Sequence, residues 1–174
     1  MNGPPLRIVV GGVSGAGKST VGRALAARLG AGFVDADELH SAAAVATMAS
    51  GVPLTDLDRW PWLDRVAAVL RDAPPEGVVV ACSALRRIYR DRIRLIAPDA
   101  AFVQLTGSRE LLTERITART AHYMPASLLE SQLALVEPLG DDEKGAALDV
   151  ALPPGALVDD VVRLLRPRCA KLGD

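Results

Sequence analysis

LRIVVGGVSGAGKST, residues 6–20, opens as a short β-branched run, breaks into glycines, and continues as Gly12-x4-Gly17-Lys18-Ser19 at the head of a helix-forming segment. Strand, glycine-rich turn and helix in that order make the P-loop pattern, in which successive backbone N–H groups turn inward around phosphate oxygens. The positive end of the following helix dipole adds to the attraction. Lys18 reaches the β- and γ-phosphates and the Ser19 hydroxyl ligates magnesium in such a loop. The plain alternative is a turn with a chance lysine in the first helical turn. That placement runs against the dipole preference unless an anion sits there. The stretch therefore predicts a nucleoside triphosphate site formed by Gly12, Val13, Ser14, Gly15, Ala16, Gly17, Lys18, Ser19 and Thr20.

Working outward, the chain alternates between two hydrophobic periods. Strands are expected at 6–10, 33–35, 78–82, 101–106 and 147–152, and helices at 18–29, 37–50, 60–71, 84–96, 108–118, 126–136 and 156–166. Strands separated by helices of that length form right-handed βαβ units. The expected fold is thus α/β, with a mostly parallel five-stranded sheet flanked by helices. The chain of 174 residues is read as one domain, residues 1–174, long enough to bury a core without disulfides. Its net charge of −1 and 3% aromatics argue against a nucleic-acid partner. No apolar run approaches the ~18 residues of a membrane span, and the leading residues carry no basic segment, so a soluble cytoplasmic protein is expected.

The chemistry beyond triphosphate binding comes from carboxylates and arginines. The apolar run Val78–Cys82 ends in Ser83, where motor and switch nucleotidases place a magnesium-holding aspartate. Asp35-Ala36-Asp37 follows the second strand instead, at the sheet edge where ligands of open α/β folds bind. One carboxylate, Asp35, is expected to order the magnesium waters. Asp37 is expected to orient an attacking hydroxyl and take its proton, with helix capping as its competing role. His40, one helical turn on, is a candidate partner for a polyhydroxylated substrate.

Arg86 sits at a helix start, again on the unfavourable end of the dipole, and reads as an anion contact. Arg59 offers a fork for a carboxylate. Arg90 and Arg94 read as a solvated face eased by Asp91. Arg115 and Arg119 lead into a polar stretch holding His122 and Tyr123, which reads as a flap closing over the terminal phosphate.

Four features together resemble one family. They are the P-loop with its following DxD, the segment Met48–Leu63 (MASGVPLTDLDRWPWL), the segment Cys82–Asp91 (CSALRRIYRD), and Gln132 with Glu137-Pro138. They look like gluconate kinases of the P-loop type, over nearly the whole of Leu6 to Val150. The resemblance implies the three-layer nucleoside-monophosphate-kinase fold with a small lid at about 119–136. It also implies ATP and magnesium as cosubstrates, transfer to the 6-hydroxyl of D-gluconate, and a homodimer. By position, Lys18, Asp37 and Arg119 would be catalytic, Asp37, His40, Arg59, Ser83 and Arg86 would line the acceptor pocket, and His122 would join Arg119 in the lid. The chain departs from the family pattern at Ala44 and Thr47, where an asparagine and a lysine are usual. The alternatives are a kinase for another polyhydroxy acid, with a shikimate-kinase-like site, and an ATP-binding regulator without catalysis.

Overall fold

The computed structural model describes residues 4–118 and 126–165. Its five strands are β1 (Arg7–Gly11), β2 (Gly32–Asp35), β3 (Val78–Ala81), β4 (Ala101–Thr106) and β5 (Gly145–Asp149). They form one sheet in the order β2-β3-β1-β4-β5, and every pairing is parallel, with Val9 opposite both Val80 and Phe102. The helices are α1 (Lys18–Leu29), α2 (Ala42–Ala49), α3 (Asp56–Arg71), α4 (Arg87–Ile96), α5 (Arg109–Thr117), α6 (Ala126–Leu135) and α7 (Pro154–Leu165).

Side-chain alternation along the strands builds two cores, one on each face of the sheet. Ile8, Val10, Val79, Val103 and Leu105 pack with Val21 and Leu25 of α1, Leu112 of α5, Leu129 of α6 and Leu157 and Val161 of α7. Val9, Val78, Val80 and Phe102 pack on the other face with Trp62, Leu63, Val66 and Leu70 of α3 and Tyr89 and Ile93 of α4. Two buried faces explain why these strands read as continuous apolar runs. No helix among the described residues is long and apolar enough to cross a membrane.

Four boundaries differ from expectation, each for a local reason. The helix expected at 37–50 is broken: residues Ala36–Leu39 form a 3-10 turn, His40 is extended, and Ser41 caps α2 by accepting from the Ala44 N–H. Helix α3 starts at Asp56 rather than Trp60, because Thr55 and Asp58 form a reciprocal capping box that outweighs Pro61 inside the helix. Helix α4 starts at Arg87, since Ala84 takes a positive φ of 39° that no helix accepts. Strand β5 begins at Gly145, two residues early. A β-carbon there would lie 1.9 Å from the Phe102 carbonyl oxygen, so only glycine lets the strand enter its pairing with β4.

Candidate active site

The parallel sheet delivers the C-terminal ends of β1, β2 and β3 to one edge, and each leads into a segment singled out from the sequence. From β1 the chain enters the P-loop. Gly12 sits at φ 140°, and a β-carbon there would meet the Leu105 carbonyl at 2.8 Å. Gly17 caps α1 at φ 90° with no side-chain hydrogen bond and nothing within 4 Å of a β-carbon position. No side chain therefore caps the start of α1, which leaves its first N–H groups for a phosphate. Lys18 folds back to donate to the Val13 carbonyl at 3.1 Å.

Strand β2 delivers the acidic pair. Ser19 donates to Asp35 Oδ2 at 2.7 Å, so an alcohol and a carboxylate already meet at the foot of the phosphate loop. Asp35 also caps the 3-10 turn, accepting from the Asp37 N–H at 3.1 Å. The capping role thus belongs to Asp35, and no hydrogen bond or ion pair among the described residues engages the Asp37 carboxylate. The buried Cys82 thiol lies at the end of β3. Burial pushes it up to about 12, and Asp35 stands opposite Ala81 in the sheet register, so the acidic pair lies next to the end of β3.

His40 lies beside them, though not on a shared helical face. It stacks on Trp62 with ring centroids 4.4 Å apart, and Trp62 is itself fixed by donating to the Ala36 carbonyl at 2.6 Å. Burial lowers its pKa, against the pull of Asp37 and with help from Arg65 and Arg59, so the ring is neutral at neutral pH. Its Nδ1 is buried without a hydrogen-bond partner. A buried orphan of this kind costs roughly 1–3 kcal/mol until something bonds to it.

Strand β3 delivers the loop 82–86 and its arginine. The Ser83 carbonyl accepts from the Gly12 N–H at 3.2 Å, which ties this loop to the start of the P-loop. Arg86 donates to Asp56 Oδ2 at 2.8 Å, and Arg59, from the first turns of α3, donates to the Tyr89 hydroxyl at 2.9 Å. Tyr89 in turn donates to Asp56 Oδ1 at 2.5 Å and lies 5.5 Å from each guanidinium carbon. That bond, more than the two arginines, holds the Asp56 carboxyl below its usual range. One phenol and one carboxylate therefore hold two guanidinium groups side by side. Asp56 and Tyr89 were not singled out from the sequence. The i, i+3 spacing of Arg86 and Tyr89 across the start of α4 was the available signal.

The reading of Arg90 as a solvated residue is overturned. It is 1% exposed and forms a two-pronged pair with Glu143, at 2.7 and 2.9 Å. Its remaining N–H groups donate to the carbonyls of Ala84, Leu85, Glu137 and Pro138. A guanidinium at the i+4 position after Arg86 thus points inward and clamps the strained backbone that carries Ser83 and Arg86. Glu137 completes the clamp by accepting from the Arg87 N–H at 2.6 Å, which caps α4 from another segment. Arg94 pairs with Asp91, but its side chain is only 18% exposed and also lies 3.6 Å from the buried Glu143, so it does not form a solvated face either.

Arg115 donates to the Val150 carbonyl at 2.6 Å. Arg119 and His122 lie outside the described residues. In α2, at one of the two positions that depart from the family pattern, Thr47 bonds back to the Ala43 carbonyl, and no residue of the helix is buried.

Comparison with known proteins agrees with this geometry. A family model described as an AAA domain matches residues 8–139. Over 161 residues the chain is 43% identical to a gluconokinase of Gluconobacter oxydans, with 91% of this chain and 90% of that protein covered. The crystal structure of a gluconokinase from Sinorhizobium meliloti superposes with a TM-score of 0.84 at 46% identity, covering 93% of each chain. An unliganded sugar kinase from a Janibacter species superposes with a TM-score of 0.86 at 42% identity, covering 93% of this chain and 95% of that one.

Proposed function

The chain belongs to the gluconokinase family, and from that premise we propose how its own residues phosphorylate gluconate with ATP. The observation that carries the proposal is the meeting of Ser19 with Asp35 at the foot of the phosphate loop, with Asp37 bonded through its N–H to Asp35 and a paired set of arginines held by Asp56 and Tyr89.

The triphosphate of ATP lies in the loop Gly12–Thr20, with its charge against the N–H groups of α1 and Lys18. Ser19 and Asp35 offer hard oxygen donors 2.7 Å apart, a pair that fits Mg2+, and these two residues would hold it. When bound, the ion supplies neutralisation of charge on the β- and γ-phosphates. The sugar acid enters from the side of β2 and β3. Its carboxylate meets Arg59 and Arg86, which Asp56 and Tyr89 hold ready, and one of its hydroxyls satisfies the orphaned Nδ1 of His40. Its 6-hydroxyl then lies against Asp37. Because phosphoryl transfer is largely dissociative, Asp37 mainly orients this nucleophile and receives its proton late, for which an ordinary aspartate suffices. Arg119 and His122 are assigned to the lid by resemblance, and Arg115 to the triphosphate by its place at the end of the helix that leads into the flap. A homodimer is assigned by resemblance too, and sedimentation velocity returning only monomer would remove it.

The pocket assignment predicts that Arg59→Ala raises the KM for gluconate about tenfold to hundredfold through loss of a charge-assisted hydrogen bond, with kcat changed little. Steady-state kinetics with each substrate varied in turn measures this. A change confined to the KM for ATP would move Arg59 out of the acceptor pocket. The same assay run over a panel of sugar acids places gluconate among the best acceptors. A clear preference for a different polyhydroxy acid would leave the kinase and change its substrate.

A further inference from the structure

Helix α6 reaches the phosphate loop through the side chain of Gln132. Gln132 Oε1 accepts from the Ser14 N–H at 2.7 Å, and Gln132 Nε2 donates to Ser14 Oγ at 3.2 Å. The two residues are 118 positions apart in sequence. The orientation of the carboxamide is fixed by chemistry. A backbone N–H can only donate, so the amide oxygen must face it and the amide nitrogen must face the hydroxyl. Ser14 Oγ is thereby an acceptor toward Gln132, which leaves its own proton to be donated elsewhere.

Ser14 stands third in the eight-residue loop, between Val13, whose carbonyl engages Lys18, and Gly15, which packs against Ile116 of α5. Both ends of one amide are thus committed to a single residue of the phosphate cradle. Leu129, buried at 2% exposure one turn earlier, anchors the helix that carries it. Leu129 thus gives α6 an apolar anchor in the core beside this polar contact.

We propose that Gln132 is a positioning residue for phosphoryl transfer: by fixing both the backbone and the hydroxyl of Ser14, it aims the Ser14 O–H at the terminal phosphate of the bound triphosphate. The contact discriminates a triphosphate from a diphosphate, because only the former presents the group that Ser14 addresses. A carboxamide suits this place better than a carboxylate. Glutamate would keep the bond to the N–H, but it would draw the Ser14 O–H into donating to itself and away from the phosphate, and it would set a negative charge beside the phosphates.

This inference deepens the kinase reading and rests on it, so the test begins with a measurement that needs no acceptor. Titration calorimetry of the full chain with ATP and with ADP, each with magnesium, gives the ratio of the two affinities. Gln132→Ala is expected to shrink the preference for ATP by about fivefold or more while leaving ADP affinity within about twofold. An unchanged ratio overturns the proposal whatever the acceptor is. In turnover, Gln132→Ala is expected to lower kcat about tenfold to thirtyfold with the KM for gluconate within about twofold. Loss confined to melting temperature, or to the KM for gluconate, would mark Gln132 as structural or as part of the acceptor site and defeat the assignment. Ser14→Ala tests the same contact from the loop side and removes no buried packing. It should lower kcat severalfold, and in the double variant the two losses should fail to add. Additive losses would show that the two residues act separately and contradict the proposal. Failure of wild-type turnover with gluconate would count against the acceptor reading alone, since the affinity ratio stands without it.

Discussion

Asp37→Asn lowers kcat by about a hundredfold or more and leaves the affinity for ATP nearly unchanged. The substitution keeps the size of the side chain and removes its negative charge, and with it the ability to take a proton. Two observations make it a clean test. Asp35, not Asp37, caps the 3-10 turn, so asparagine at 37 disturbs no helix start. No hydrogen bond or ion pair among the described residues ties down the Asp37 carboxylate, so no structural contact is lost with the charge. Stopped-flow or steady-state kinetics at saturating gluconate reads the effect, and a kcat within a few-fold of wild type would end the general-base role.

The second large effect concerns stability. Glu143→Ala strips the buried Arg90 guanidinium of its two-pronged partner and is expected to destabilise the fold by about 3–5 kcal/mol, as removing one half of a buried pair does. A domain of ordinary stability has about 5–15 kcal/mol in total, so the urea midpoint should fall steeply. Replacing both residues with methionine should recover only part of the loss, since it removes the stranded charge but leaves the carbonyls of Ala84, Leu85, Glu137 and Pro138 without their donor. A single variant within about 1 kcal/mol of wild type would mean the pair behaves like an exposed one.

Because Arg90 holds the carbonyls of Ala84 and Leu85, the same variant should also raise the KM for gluconate by loosening the loop that presents Arg86. Acidification acts on the same contact. Burial works to raise the Glu143 pKa, but the bonds from Arg90 and the Gly140 N–H prevail and leave it lowered. A carboxylate depressed on folding contributes stability that is fully present above its ordinary value of 4.5 and is lost as pH falls through the folded value.

The elements that were legible from sequence are those set by local pattern. Helix α1 ran from Lys18 to Leu29 as expected, because a phosphate-loop glycine opens it and Gly30, at φ 68°, closes it. Strands β1, β3 and β4 were legible because two-sided burial leaves uninterrupted apolar runs, whereas the edge strands β2 and β5 are only partly buried and were read from shorter runs. What local pattern missed is set by distant partners. Arg86, Arg90 and Arg94 look alike as a stripe at i, i+4. Only Glu143, more than fifty positions away, distinguishes Arg90 as the buried member. The break at His40 had a local signal in Ser41, whose capping of α2 competes with helix continuation, yet the alanine-rich composition masked it. Asp56 and Tyr89 stand inside the two segments that carry the family resemblance, but their use as a scaffold for two arginines is set by the packing of α3 against α4.

The central claim is that the phosphate loop and the acidic pair together hand a terminal phosphate to a sugar acid. It is tested most directly by following ATP, Mg2+ and D-gluconate with the full chain by phosphorus NMR. The expected result is loss of the γ-phosphate resonance matched one for one by a phosphate monoester on the primary 6-hydroxyl of gluconate. ATP left intact, or converted only to ADP and free phosphate, would contradict it.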